Sequence, residues 1–447
     1  MLMNLSVNED PLGSEKSSIK GMFASLFFRD FRLIWFSGIA GLFAMNMQIM
    51  ARGWLIYDIT GSAMDLTWVM LSFMAPSLFF SLLGGVIADR LKKKPIIIIS
   101  GSLNTVATIT FAWIVYHGQI TFAHFIYFGL FNGTVLALSM PARASATPEI
   151  VGKAHIVNAT ALQSATFNLS RIAGPALAGL VIRLASGGDT SSHEGVGIVF
   201  FVVAALYGIS VLMTMLMEYQ GKPHQESKSP LRDTVEAFVF LKEEKTLFGL
   251  LVLGFVPLTF GFSVTFLAPV FNQEALAGNA STLSLLLSAT GIGALAGSLI
   301  LARLGKIEEK GKLMFRTGYL WALSICLFST AQTIETALIL ISLTGLFGAI
   351  IGSLNMGLTQ LLVPDHIRGR VMSIMMMTHS FMPIGLIPIS SIAESYGITL
   401  AIMLSGTLVG LSLLAIRLWL PELNSIKDNF DSQPASNLSN ADKSNNF

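Results

Sequence analysis

The chain has 447 residues, of which 53% are hydrophobic and 12% charged, with a formal net charge of +2. A soluble protein of this length would split into two or three domains with polar surfaces, but a mean hydropathy of +0.68 leaves too little polar surface to cover them. So small a net charge, dispersed over many loops, excludes an electrostatic footprint for nucleic acid, and the lone cysteine, Cys326, excludes an intrachain disulfide.

A polar, Ser-rich segment, residues 1–32, leads into the first apolar run without a small-residue cleavage site, so it reads as a cytoplasmic segment and not as a cleaved signal. Apolar runs follow at about 33–57, 65–90, 95–116, 121–142, 156–184 and 196–218, a first set of six within residues 33–219. A charged linker, 220–246, carries Pro223 and Pro230. Six more runs lie at about 247–271, 281–303, 313–331, 335–361, 370–395 and 399–420, within residues 247–421. The polar tail, 422–447, is expected to be disordered and cytoplasmic. Runs of about 20 residues fit a hydrocarbon core about 30 Å thick. In lipid they must be helices, because an apolar strand would leave its amides unpaired. The expectation is an all-α membrane protein with twelve transmembrane helices in two six-helix bundles.

Charge is sorted along these runs. Of the 28 Lys and Arg residues, 25 fall in the two termini and in every second connector, and only Arg52, Arg171 and Arg183 do not. Positively charged loops stay on the cytoplasmic side, which places both termini there. The six-and-six division points to an internal duplication. A weak echo supports it: Pro148-Glu149 leads into the fifth run and Pro364-Asp365 into the eleventh, 216 residues later.

The second connector reads Gly84-Gly85-Val86-Ile87-Ala88-Asp89-Arg90-Leu91-Lys92-Lys93-Lys94. It resembles the cytoplasmic signature of the major facilitator superfamily, G-x-L-A-D-R-x-G-R-K, with Gly85, Asp89, Arg90, Lys93 and Lys94 matching and Lys92 in place of the second glycine. Gly85 is expected to let the second helix approach a neighbour closely. The resemblance implies a gate in which Asp89 faces the positive end of the eleventh helix near Gly369. The corresponding stretch in the second half, Gly297 to Lys306, lacks the aspartate.

Three further stretches are similar to the efflux branch of that superfamily which includes the enterobactin exporter and macrolide-efflux proteins. They are Ala51-Arg52-Gly53-Trp54 through Ser62, Pro141-Ala142-Arg143, and Asn158 through Gly179 with Asn168, Arg171, Gly174, Pro175 and Gly179. Gly174-Pro175 with Gly179 is also similar to the helix-five motif of proton-coupled drug antiporters. The resemblance spans most of residues 25–420.

Ionisable groups inside a membrane are functional candidates by default. Arg171 falls near mid-depth of the fifth run and Arg52 in the outer half of the first. Both are expected to line a cavity and engage an anionic or polar group of a substrate; for Arg52 the alternative is a pair with Asp58 or Asp65. Asn46, Gln48, Gln163 and Asn168 are expected to share the polar side of the first bundle, with helix–helix hydrogen bonding as the alternative. In the second bundle Asn355 and His379, beside Met375, Met376 and Phe381, would form an adaptable wall. His379 is the only histidine at mid-depth and could carry a proton; packing is the alternative. No metal-ligand spacing and no phosphate-binding loop occur, and Gly291 to Gly297 lies in an apolar run, where close helix packing explains it better than a dinucleotide.

What the resemblance implies is a secondary transporter in the bacterial cytoplasmic (inner) membrane, exporting an amphipathic small molecule such as a siderophore or a macrolide-like drug by alternating access. Its partners would be that solute, protons in antiport and membrane lipid; no cofactor, no nucleic acid and a monomeric state are expected. An importer on the same fold and a lipid-processing membrane enzyme are the alternatives.

Overall fold

The computed structural model describes residues 24–187, 193–221, 238–304, 309–364, 367, 370–372, 374–375 and 382–426, and every regular element among them is helical. The chain divides into two compact units, Met1–Pro230 with Gly278–Ser288, and Leu231–Ala277 with Ala289–Phe447.

The first unit contains α1 (Arg29–Thr60), α2 (Ala63–Arg90), α3 (Lys93–Tyr116), α4 (Phe122–Gly152), α5 (Ala154–Ala185) and α6 (His193–Met215). The α1–α2 corner is set by two local signals. Gly61 takes a left-handed φ of 60° and returns its N–H to the Tyr57 carbonyl, ending α1. The Ser62 hydroxyl then accepts from the Asp65 N–H at 3.1 Å, starting α2. Between α4 and α5 the sequence suggested a connector at 143–155. The chain instead stays helical through it and breaks only at Gly152, with φ 70°. Polar side chains do not end a helix; a positive φ does, and glycine adopts it without steric cost. Arg143 therefore lies within α4, not at its end.

Small residues set how closely these helices pack. A Cβ on Gly84 would lie 2.5 Å from the Ala137 carbonyl oxygen, and Gly129 and Gly133 of α4 press on Ser72 and Phe73 of α2. The glycine expected to allow this approach was Gly85, yet a Cβ there would meet nothing within 4 Å. One residue turns a helix by about 100°, so only one of two adjacent glycines can face the neighbour, and it is Gly84. In addition, α3 packs on α6, and α1 on both α5 and α6. An aromatic cluster ties α3, α4 and α6: Phe111 stacks on Phe128 at 4.3 Å and meets Phe125 and Phe200 edge-on.

The second unit contains α7 (Lys245–Gly261), most of α8 (Ala280–Arg303), α9 (Lys310–Ser329), α10 (Ile334–Leu362), α11 (Met382–Tyr396) and α12 (Ile398–Trp419). The run expected to be one helix over 247–271 is broken: α7 is followed by two short pieces, Ser263–Phe266 and Ala268–Glu274. The break is tolerated because its loose groups find partners. Ser405 of α12 donates to the Phe260 carbonyl at 2.5 Å, and Gly261 makes room for the Trp321 ring.

Pairing in the second unit repeats the first, six helices later. α9 packs on α12 and α10, and α7 on α12, α11 and α10. Gly293 and Gly297 of α8 abut the Ser342 and Leu346 carbonyls of α10, and Gly345 of α10 abuts the Thr290 carbonyl. That repeats the α2–α4 contact, and it gives the Gly291–Gly297 stretch a packing role.

Among the described residues, ten helices are long and apolar enough to cross a membrane: α1 to α6, α7 extended to Phe266, α8, α10 and α12. Twelve were expected. α9 has 20 residues but carries Lys310, Lys312 and Arg316 in its first two turns. α11 is described over 15 residues, and much of its expected start at 370 lies outside the described residues.

Candidate functional site

Two side chains of α1, Gln48 and Arg52, stand one turn apart and therefore share a face. Both are buried, at 3% and 1% exposure. The Gln48 carbonyl oxygen accepts from the Tyr207 hydroxyl of α6 at 3.4 Å. The Arg52 guanidinium lies 5.0 Å from the Phe73 ring centroid, and its Nη2 reaches only the Met70 sulfur, at 3.8 Å. Nε and Nη1 have no hydrogen-bond partner among the described residues. The pair with Asp58 or Asp65 that the sequence left open is thus not made by Arg52. Tyr207 lies within electrostatic reach of both Arg52 and Arg143. Arg143, half-buried on α4, points toward Gly101 of α3.

The remaining polar residues of the first unit do not join this group. Asn46 donates to the Leu42 carbonyl at 3.0 Å and to Ser170 Oγ at 3.2 Å, where Gly174 brings α5 onto α1. Gln163 donates to Thr147 Oγ1 at 2.8 Å and joins α5 to α4. Asn168 turns back to its own Ser164 carbonyl at 3.0 Å. Arg171 is half-buried with its guanidinium 5.9 Å from the Phe167 centroid. Instead of one polar side there are three places: a buried Gln48–Arg52–Tyr207 cluster, two helix–helix hydrogen bonds, and an Asn168–Arg171 patch along α5. Pro175 is buried inside α5, and Gly179 one turn further on abuts Ser284, itself part of the first unit.

In the second unit Asn355 is 4% exposed, with its Oδ1 unpartnered among the described residues and its amide nitrogen against Gly254. Met375 is buried beside the same glycine. His379, Met376 and Phe381 lie outside the described residues, as does Gly369.

The signature between α2 and α3 divides in two. Asp89 and Arg90 are exposed. Lys93 is 2% exposed, and its ammonium donates to Glu149 Oε1 at 2.5 Å. The Tyr219 hydroxyl donates to Glu149 Oε2 at 2.5 Å. Lys94 Nζ donates to the Met217 carbonyl at 2.5 Å. Asp30, in the first turn of α1, accepts the Glu218 and Tyr219 N–H groups at 3.0 and 2.8 Å, and Arg29 pairs with Glu218. Burial, the hydrogen bond to Glu149 and that carboxylate's charge all raise the Tyr219 pKa. Lys93 and Lys94 therefore brace the basic end of the first unit, tying the starts of α1 and α3 to the α4–α5 junction and the chain beyond α6. Sequence reading missed Tyr207, Asp30, Glu149 and Tyr219 in these roles. The partners stand 56 to 189 residues apart, and no spacing rule links them.

Comparison with known proteins accords with this architecture. The transmembrane secretion effector family matches residues 20–444. The staphyloferrin A transporter of Staphylococcus aureus is 24% identical over 79% of this chain and 87% of its own length. The enterobactin exporter EntS of Citrobacter koseri is 27% identical over 65% of this chain and 67% of its own. The multidrug efflux pump Tap of Mycolicibacterium fortuitum is 24% identical over 88% and 96%. Among solved structures, the nucleoside transporter NupG superposes with a TM-score of 0.67 at 16% identity, covering 87% of this chain and 99% of that one. A POT family transporter in complex with 5-aminolevulinic acid gives 0.68 at 13% identity, over 88% and 96%. At such identities the structural likeness establishes the fold alone. The chain is a multi-pass membrane transporter and belongs to the transmembrane secretion effector family of the major facilitator superfamily.

Proposed function

We propose that this protein is a secondary active transporter of twelve membrane helices in two six-helix bundles that exports an amphipathic small molecule, siderophore-like or drug-like, by alternating access and in exchange for protons. The observation that carries the reading is Arg52: a buried guanidinium whose Nε and Nη1 have no partner among the described residues, on a helix apolar enough to span a membrane. A charge at that depth is costly and marks a solute path by default. The relatives' names, a siderophore transporter, a siderophore exporter and a multidrug efflux pump, supply the solute classes.

In this reading Gln48 and Arg52, with Asn168 and Arg171, engage the solute from the first bundle, while Asn46 and Gln163 hold its helices together; Asn355 and His379 are the polar handles of the second bundle, with His379 as proton carrier. Asp89 and Arg90, exposed beside a braced Lys93–Lys94 segment, act as the cytoplasmic gate. Gly174, Pro175 and Gly179 set the packing of α5. The chain works as a monomer in the bacterial inner membrane with both termini inside.

Everted membrane vesicles test the reading. A metal-free siderophore and a macrolide are offered to vesicles with and without this protein, energised and then treated with an uncoupler. Protein-dependent accumulation that collapses with the proton gradient is expected. Accumulation that survives the uncoupler removes proton coupling, and uptake confined to right-side-out vesicles makes the protein an importer.

A further inference from the structure

The first unit holds a charge imbalance that its fold does not resolve. Arg52, Arg143 and Arg171 each lie more than two turns from the ends of their helices. The described acids of α1 to α6, Asp30, Asp58, Asp65, Asp89, Glu149 and Glu194, all fall within the first or last two turns. Among the described residues, neither Arg52 nor Arg143 makes an ion pair with any of them. A buried charge without a partner is unfavourable by far more than a surface one, so the unit is built to receive a negative charge from elsewhere.

Arg52 is the place where that charge is best met. Among the described residues, Nη2 touches only a thioether sulfur, while Nε and Nη1 on either side of it have no partner. Each fork edge of the guanidinium, Nε with Nη2 and Nη1 with Nη2, thus keeps an unsatisfied donor, the geometry that binds a two-oxygen anion. The Phe73 ring at 5.0 Å provides a flat apolar wall, Met70 a deformable one, and Tyr207 and Gln48 a polar flank. Arg143, within electrostatic reach of the same tyrosine, adds positive potential of the same sign.

We infer that the Arg52 cluster is a subsite for an oxyanion of the transported solute, a carboxylate or an ionised catechol, and that it makes this transporter selective for anionic over cationic molecules. The inference rests on the transport reading above and narrows it to solutes that carry a negative charge. Among the described residues of this unit, a cation would meet three arginine charges and no acid away from the helix ends, in a medium where charges are weakly screened.

The test uses the purified full chain in detergent at constant ionic strength, titrated with citrate, 2,3-dihydroxybenzoate, chloride or tetraphenylphosphonium, and read by calorimetry and thermal unfolding. Citrate or dihydroxybenzoate should bind and raise the Tm, whereas chloride and tetraphenylphosphonium should not. Arg52→Gln should weaken oxyanion binding roughly 10- to 100-fold, the loss of hydrogen bonds to a charged group. Arg52→Lys, which keeps the charge without the fork, should fall between. If Arg52→Gln does not purify, Arg52→Lys and the wild-type selectivity still decide. Oxyanion binding undiminished in either variant overturns the proposal. So does a wild type that ignores both oxyanions, that binds chloride as tightly as them, or that prefers the phosphonium. Failure of vesicle export with oxyanion binding intact would remove the export reading and leave the subsite standing; export with oxyanion binding absent would do the reverse.

Discussion

The two units pair their helices alike but spend their polar residues differently. In the first, arginines occur well inside the helices, and the end rich in basic residues is braced by the Lys93–Glu149–Tyr219 cluster. In the second, the described charged residues of α7 to α12 sit in the first or last two turns, and irregularity comes instead from the break after Gly261. The shared part is steric and the different part electrostatic. Helix pairing survives sequence divergence because it asks only for small residues where backbones meet. Charge placement is free to specialise, and one unit has taken nearly all of it.

The steric half of this comparison breaks with the largest effect. In Gly84→Ala the new Cβ lies 2.5 Å from a backbone oxygen, which cannot rotate away. A loss of about 2–3 kcal/mol is expected, the upper part of the overpacking range, measured as thermal unfolding in detergent. Gly293→Ala, its equivalent in the second unit, should cost as much, while Gly85→Ala should change stability by no more than about 0.5 kcal/mol. If Gly84→Ala proves harmless and Gly85→Ala does not, the register of the α2–α4 contact is wrong.

The electrostatic half is tested next. Lys93→Met removes a buried ammonium from Glu149, whose side chain is 30% exposed and keeps its tyrosine partner. Water can therefore offset part of the loss, and about 1–2 kcal/mol is expected, below the range for a fully buried pair. A double-mutant cycle with Glu149→Gln should show coupling of at least about 0.5 kcal/mol. Arg90→Ala, exposed, should leave stability unchanged.

Tyr219→Phe should be milder at neutral pH, about 1 kcal/mol for a hydrogen bond to a carboxylate at a partly wet site. Its signature is in the pH profile. The folded pKa is raised above the ordinary value of 10.0, so the neutral phenol is what the fold favours. The stability it contributes is in full below that value and is lost as pH rises beyond it. Wild-type Tm should therefore fall more steeply above about pH 10 than that of Tyr219→Phe, and parallel curves would show that the phenol is not held by Glu149.

Much of this fold could be read from the chain because a bilayer permits so few structures. Run length placed the helices, and Gly291 to Gly297 read correctly as packing. What could not be read depends on the third dimension. Choosing Gly84 over Gly85 requires knowing which way α4 lies. Seeing α4 continue past Arg143 to Gly152 requires knowing that its polar turns are still hydrogen-bonded. In the candidate site, Arg52 and Gln48 were legible as neighbours one turn apart, but Tyr207 was not, since α6 returns to α1 only after 159 residues. Lys93 was readable as part of a signature, and its burial against Glu149 was not.

The smallest expected effect is in some ways the most informative. Asn355 is the second unit's counterpart to the polar residues inside the first, yet its Oδ1 has no partner among the described residues. Asn132, whose amide donates to Asn104 at 2.7 Å, shows what a satisfied buried amide looks like in the first unit. Because Asn355 has no such bond at Oδ1 to lose, exchange for an apolar side chain of similar size should be nearly neutral. Asn355→Leu is thus expected to unfold within about 1 kcal/mol of wild type while transporting more slowly in the vesicle assay, because the carbonyl oxygen would be used only when solute is present. A stability loss well beyond that would mean the amide is structural after all. Unchanged stability with unchanged transport would leave the solute contacts to the first unit alone.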